Sequence, residues 1–119
     1  MYSIKVEAYF SSAHNLRGYK GKCESLHGHN WKVEAVVSQR PLGKDGMVMD
    51  FTILKTKLKR ILEKLDHRYL NKIPYFKRIN PTSENIAKYV FVVLKKTIPR
   101  LSAVTVWESE NSAATYYGE

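Results

Sequence analysis

A chain of 119 residues, 44% hydrophobic and 26% charged, has room for one hydrophobic core, and no stretch reaches the roughly 20 apolar residues of a membrane span. The sequence reads as a single globular domain, residues 1–119, with no membrane partner. One cysteine excludes an internal disulfide, and Met1-Tyr2-Ser3-Ile4-Lys5 has neither the basic nor the apolar region of a signal peptide, so the cytoplasm is the expected location. The formal charge of +9 asks for an anionic partner or for solvated helix faces. Lys55, Lys57, Lys59, Arg60 and Lys64 fit the polar side of one helix, and Lys95 and Lys96 the end of another. Arg17, Lys20 and Lys22 flank Cys23, where the same charges would steer either a polyphosphate or RNA.

From Ile4 to Phe10, apolar Ile4, Val6, Ala8 and Phe10 alternate with Lys5, Glu7 and Tyr9, the period of a half-buried strand. His14 keeps the parity of the buried set unless a bulge intervenes. Residues 15–25, with Gly18 and Gly21, read as a loop. A second strand follows, in which Trp31, Val33, Ala35 and Val37 share the parity of His27 and His29. The two strands pair as a long hairpin that draws three imidazoles together.

After a turn at Pro41, Gly43 and Gly46, the apolar run from Met47 to Phe51 reads as a strand continuation into a helix capped by Asp50 or Thr52. That helix buries Leu54, Leu58, Ile61, Leu62 and Leu65 and ends near Asp66-His67. An irregular connection over residues 68–80 precedes a second helix, opened by Pro81-Thr82-Ser83-Glu84, with Ile86, Tyr89, Val90, Val93 and Leu94 as its apolar face. Leu101 to Glu108 and Ala113 to Tyr117 form a second hairpin turning at Glu110-Asn111. The order ββααββ predicts an α+β fold, a four-stranded antiparallel sheet with two helices on one face. The helix-free face and open edges, with Tyr9, Trp107, Tyr116 and Tyr117, predict a homo-oligomer joined edge to edge.

His27 and His29 at i and i+2, with His14 on the pairing strand, suit zinc in an open site whose fourth position takes water or a substrate oxygen. Cys23 has three readings: core filler, fourth zinc ligand, or a thiol made acidic by Lys20, Lys22 and the metal. Glu24 is an alternative acid or base. Asp66-His67 is either a dipole-compensating pair or a proton-transfer pair in which the carboxylate orients the imidazole. Glu108 shares the apolar face of Val104 and Val106 and needs a donor, for which an internal Lys or Arg is preferred over the N–H groups of a bound heterocycle.

Phe10 to His14, Cys23 to Trp31, Met49-Asp50-Phe51, Leu65-Asp66-His67, Asn80 to Ala87 and Glu108 together resemble the 6-pyruvoyl-tetrahydropterin synthase and 6-carboxytetrahydropterin synthase family. The resemblance implies the tunnelling fold, with trimers closing their sheets into a barrel and two trimers stacking into a hexamer whose active sites lie between subunits. It implies one zinc ion on His14, His27 and His29, Cys23 as proton acceptor, and His67 as partner acid or base oriented by Asp66. Glu108 would grip the pterin ring and link to the catalytic proton relay, in a pocket lined by Thr82, Ser83 and Glu84. The three residues between Cys23 and His27 resemble the short spacing of the carboxy synthases. That implies conversion of 7,8-dihydroneopterin triphosphate to 6-carboxy-5,6,7,8-tetrahydropterin with loss of triphosphate and acetaldehyde, toward queuosine or archaeosine. Some relatives carry glutamate for the cysteine and make a hydroxymethyl product, so Glu24 keeps a pyruvoyl or hydroxymethyl product open. A reading of another class is a basic RNA-binding domain stabilised by a closed zinc site.

Overall fold

The computed structural model describes residues 1–18 and 25–118; Lys20, Lys22, Cys23 and Glu24 lie outside the described residues. Strand β1 (Tyr2–His14) and strand β2 (His27–Gln39) pair antiparallel in unbroken register, from Tyr2 opposite Gln39 to His14 opposite His27. The strict alternation is the cause. Val6, Ala8, Phe10, Ser12 and His14 fall on one face and meet Trp31, Val33, Ala35 and Val37 on the same side of the neighbour, so a shift of one residue would expose both sets.

Strand β3 (Leu101–Trp107) pairs with β2, with a register shift between Val36 and Val37, and strand β4 (Ala113–Tyr116) completes the order β1-β2-β3-β4. The β3–β4 connection runs over residues 108–112 and is closed by the Glu108 N–H donating to the Ser112 carbonyl at 3.2 Å. This corrects the expected two-residue turn. Neither Glu110 nor Asn111 takes the positive φ that a tight primed turn needs, so the loop lengthens.

Helix α1 (Phe51–Leu62) starts where the Asp50 carboxylate accepts the Thr52 N–H at 2.7 Å. The expected strand over residues 47–50 is absent, because a local turn takes its backbone groups: the Gly43 N–H donates to the Met47 carbonyl, and the Met47 N–H to the Asp45 carboxylate. α1 also ends short of Asp66-His67, and residues 63–67 continue only as turns. Two 3-10 turns, Leu70–Lys72 and Pro74–Phe76, make the irregular connection. Helix α2 (Ser83–Lys95) begins with Thr82 Oγ1 accepting the Asn85 N–H. Phe91, beside Tyr116, joins its buried stripe, whereas Tyr89 and Val93 are only half buried.

Both helices pack on the face that carries Trp31, Val33 and Val106, and the core runs through both layers. Leu58 is fully buried there, so Leu58→Ala is expected to cost about 2–5 kcal/mol, read as a lower denaturation midpoint at unchanged m-value. The C-terminal turns of the helices border one groove, with Arg60 and Lys64 beside Val93 and Thr97. These cations sit at the negative ends of two helix dipoles, a local role for part of the charge.

The helix-free face is more polar than expected. Glu34 is buried within it, held by Lys5 at 3.2 Å and by the Trp107 indole N–H, with Lys32 4.8 Å from the Trp107 ring centre. The top of the β1 edge is covered by residues 66–69, since the Ser11 N–H donates to the Asp66 carboxylate and the Ala13 N–H to the Arg68 carbonyl.

Candidate metal centre and active site

Unbroken pairing puts His14, His27 and His29 on one side of the β1–β2 hairpin at its open end. His14 is buried, and its Nδ1 lies 2.8 Å from the Pro81 carbonyl; His27 Nδ1 lies 2.7 Å from the Ser25 carbonyl. A carbonyl can only accept, so both Nδ1 atoms carry a proton, and in the neutral imidazoles both Nε2 atoms present lone pairs. Those Nε2 atoms are 3.0 Å apart. Two lone pairs facing at that distance repel unless a cation lies between them.

His29 Nε2 is buried without a hydrogen-bond partner among the described residues, although Glu108 Oε1 stands 2.9 Å away without the alignment of a hydrogen bond. Glu108 Oε1 is also 3.7 Å from His14 Nε2. One ligand atom from each of His14, His27, His29 and Glu108 falls within 4.8 Å of all the others, so the group could hold a metal ion. Tetrahedral zinc with nitrogen ligands at roughly 2.0–2.1 Å needs nitrogens about 3.3 Å apart, close to the 3.0 Å between His14 and His27. Burial holds the His14 and His29 imidazoles below the usual histidine pKa, against the raising effects of the Pro81 carbonyl on His14 and of Glu108 on both. They are thereby kept in the neutral, ligating form.

Glu108 departs from the sequence reading. Its partner is the histidine cluster rather than an internal Lys or Arg, because β3 places it next to His29 and His14. Asp66 and His67 are together, with Asp66 Oδ2 2.9 Å from His67 Nδ1. His67 has φ 54 and is 83% exposed. That backbone conformation costs about 1 kcal/mol and is held by the His67 N–H donating to the Ser11 carbonyl at 2.6 Å and the Ser11 N–H to Asp66 Oδ1 at 2.8 Å. The imidazole thus projects outward, oriented by its carboxylate.

The Ser11 N–H, with the His67 imidazole, holds the Asp66 carboxyl below the usual carboxylate range, against partial burial. A depressed carboxyl contributes stability that is present above its unfolded pKa, about 3.9, and lost as pH falls through the folded value. Asp66→Asn is expected to flatten that acid-side decline, measured as melting temperature against pH.

His29, Asn30, Ser11 and His67 border one open cleft of about 510 Å³. Thr82, Ser83 and Glu84 do not line it; Thr82 caps α2, and Ser83 is buried one residue farther along. Cys23 and Glu24 lie outside the described residues. The sequence reading missed the carbonyls of Pro81 and Ser25, which orient two imidazoles, since a backbone acceptor leaves no mark in sequence.

Fold and site together define a tunnelling-fold protein, with a group able to hold one metal ion where its two longest strands pair. The chain matches the 6-pyruvoyl tetrahydropterin synthase family over residues 3–119 and belongs to it, a family of pterin synthase enzymes. It is 39% identical to 6-carboxy-5,6,7,8-tetrahydropterin synthase of Synechocystis sp., covering 98% of this chain and 94% of that one. It is 38% identical to dihydroneopterin monophosphate aldolase of Pyrococcus furiosus, covering 88% of each. The structure of Caenorhabditis elegans 6-pyruvoyl tetrahydropterin synthase superposes with a TM-score of 0.90 at 32% identity, covering 99% of this chain and 96% of that one. Three different product chemistries lie at comparable similarity.

Proposed function

We propose that this chain is a zinc-dependent lyase, a 6-carboxy-5,6,7,8-tetrahydropterin synthase acting on 7,8-dihydroneopterin triphosphate. It releases triphosphate and acetaldehyde and supplies 7-deazaguanine (queuosine or archaeosine) synthesis. The observation that carries the reading is the convergence of three imidazoles, two of them oriented by carbonyls, on one point beside Glu108. The short spacing from Cys23 to His27 and the Synechocystis relative support the carboxy product.

His14, His27 and His29 would hold the zinc, which when bound supplies Lewis acidity toward the side-chain hydroxyls of the substrate. Cys23 takes a proton from the substrate side chain as a thiolate. His67, held by Asp66, returns protons through its outward nitrogen. Glu108 would accept N–H donors of the pterin ring, a reading supported by its Oε1 lying 2.9 Å from His29 Nε2. Thr82, Ser83 and Glu84 are assigned to the pterin pocket by family resemblance alone.

The reading includes one domain over residues 1–119, a cytoplasmic location, and a hexamer of two trimers with sites between subunits. Exposed His67 on the β1 edge suits a site completed across such an interface. Incubation of the zinc-loaded protein with 7,8-dihydroneopterin triphosphate, with products identified by mass spectrometry, tests it. The expected product is the carboxy compound, and absence of consumption would refute the enzyme. A pyruvoyl or hydroxymethyl product would favour the second reading, motivated by Glu24 directly after Cys23 and by the Pyrococcus relative.

A further inference from the structure

A substrate that carries a triphosphate needs cations beside the metal group, and Arg17, Lys20 and Lys22 are the ones that flank Cys23 in sequence. Arg17 is engaged elsewhere. Its guanidinium donates to the carbonyls of Asn71 at 3.0 Å and Phe76 at 2.6 Å, which ties it to the connection between the helices. Lys20 and Lys22 lie outside the described residues.

The open cleft of about 510 Å³ supplies another cation. Arg68 borders it together with His29 of the metal group, Asn30 and His67, and among the described residues no aspartate or glutamate lines it. The backbone of Arg68 is fixed on both sides: its N–H donates to Ser12 Oγ at 3.2 Å, and its carbonyl accepts the Ala13 N–H at 3.1 Å. Its side chain is exposed and forms no ion pair among the described residues. Asp66, the carboxylate nearest in sequence, is taken by the Ser11 N–H and by His67. Asn30 accepts the Ser11 hydroxyl on Oδ1 at 2.7 Å, which leaves its Nδ2 available as a further donor in the cleft. A planar, unpaired guanidinium on a fixed backbone, in a cleft without carboxylates that also reaches a candidate metal ligand, suits a multiply charged oxyanion.

We propose that Arg68 binds the triphosphate of the substrate, and the inorganic triphosphate once it is released. The assignment rests on the reading of 7,8-dihydroneopterin triphosphate as the substrate. Because His29 and Arg68 border one cleft, the side-chain hydroxyls can face the metal group while the phosphates meet the guanidinium.

The test titrates sodium tripolyphosphate into the zinc-loaded protein by calorimetry, with bound zinc measured before and after. Arg68→Ala is expected to weaken binding ~10- to 100-fold, as the loss of hydrogen bonds to a charged group does. Arg68→Lys should recover part of the affinity, since it keeps the charge and loses the fork. Both variants should keep wild-type zinc and melting temperature, because the side chain is exposed. In turnover, KM of Arg68→Ala is expected to rise by a similar factor with kcat little changed, the signature of lost uniform binding. Wild-type protein that binds no tripolyphosphate, or binds it no better than Arg68→Ala, would overturn the proposal; binding lost only in His14→Ala would place the anion on the metal and overturn it too. Protein that binds tripolyphosphate through Arg68 yet consumes no 7,8-dihydroneopterin triphosphate would instead refute the reaction and leave the anion site standing.

Discussion

Cys23→Ala is expected to lower kcat about 10²- to 10⁴-fold while the zinc-loaded protein keeps its metal and its fold, the loss that the proposed role as proton acceptor entails. The three imidazoles explain why the metal stays. His14 and His27 are each fixed by a carbonyl behind the ring, and His29 Nε2 and Glu108 complete the group without any sulfur. Metal content of the purified variant and turnover of dihydroneopterin triphosphate, measured together, check this. A variant that loses both metal and fold would make Cys23 a closing ligand, and the site structural, as an RNA-binding domain would require. Cys23→Ser separates the same outcomes with a smaller change in volume.

His14→Ala should do the opposite, abolishing metal binding and turnover together. His14 is buried at 2% exposure, its Nε2 is 3.0 Å from that of His27, and its ring packs edge-on against Trp31. Removing it takes away a candidate ligand, opens a void beside Trp31 and leaves the Pro81 carbonyl unpaired. The unpaired group alone costs about 1–3 kcal/mol. A metal held at 100 times its dissociation constant adds about 2.7 kcal/mol to folded stability. The wild-type protein should therefore melt higher with zinc than with a chelator, and His14→Ala should melt at the same lower temperature in both. A persistent zinc-dependent shift in the variant would place the metal elsewhere.

Much of the fold was legible in sequence because local periods carried it. The alternation through Phe10 and His14, and through His29 and Trp31, required the imidazoles to share a face once the strands paired without a bulge, and they do. The stripe Leu54, Leu58, Ile61, Leu62 was equally plain. The errors lie where local pattern was weak. Met47 to Phe51 is apolar enough for a strand, yet Asp50 is taken by the helix cap and Met47 by the turn at Gly43. Glu108 was expected to seek a basic side chain because parity tells which face a residue occupies, not which neighbour it meets there.

The sequence by itself determined the order of elements, the buried faces, the three-histidine set and the family, since each depends on spacing within a few residues or on motifs along the chain. The tertiary structure alone decided what orients that set and what stands against it. His14 and Pro81 are 67 residues apart, Ser11 and Asp66 are 55, and Arg17 and Asn80 are 63. These contacts arise from where the connection between the helices packs against the end of β1, and no local period encodes that placement. It puts a carbonyl behind His14, a carboxylate on the β1 edge, and the side chains of Asn71 and Asn80 against the backbone of Asn15 and Arg17.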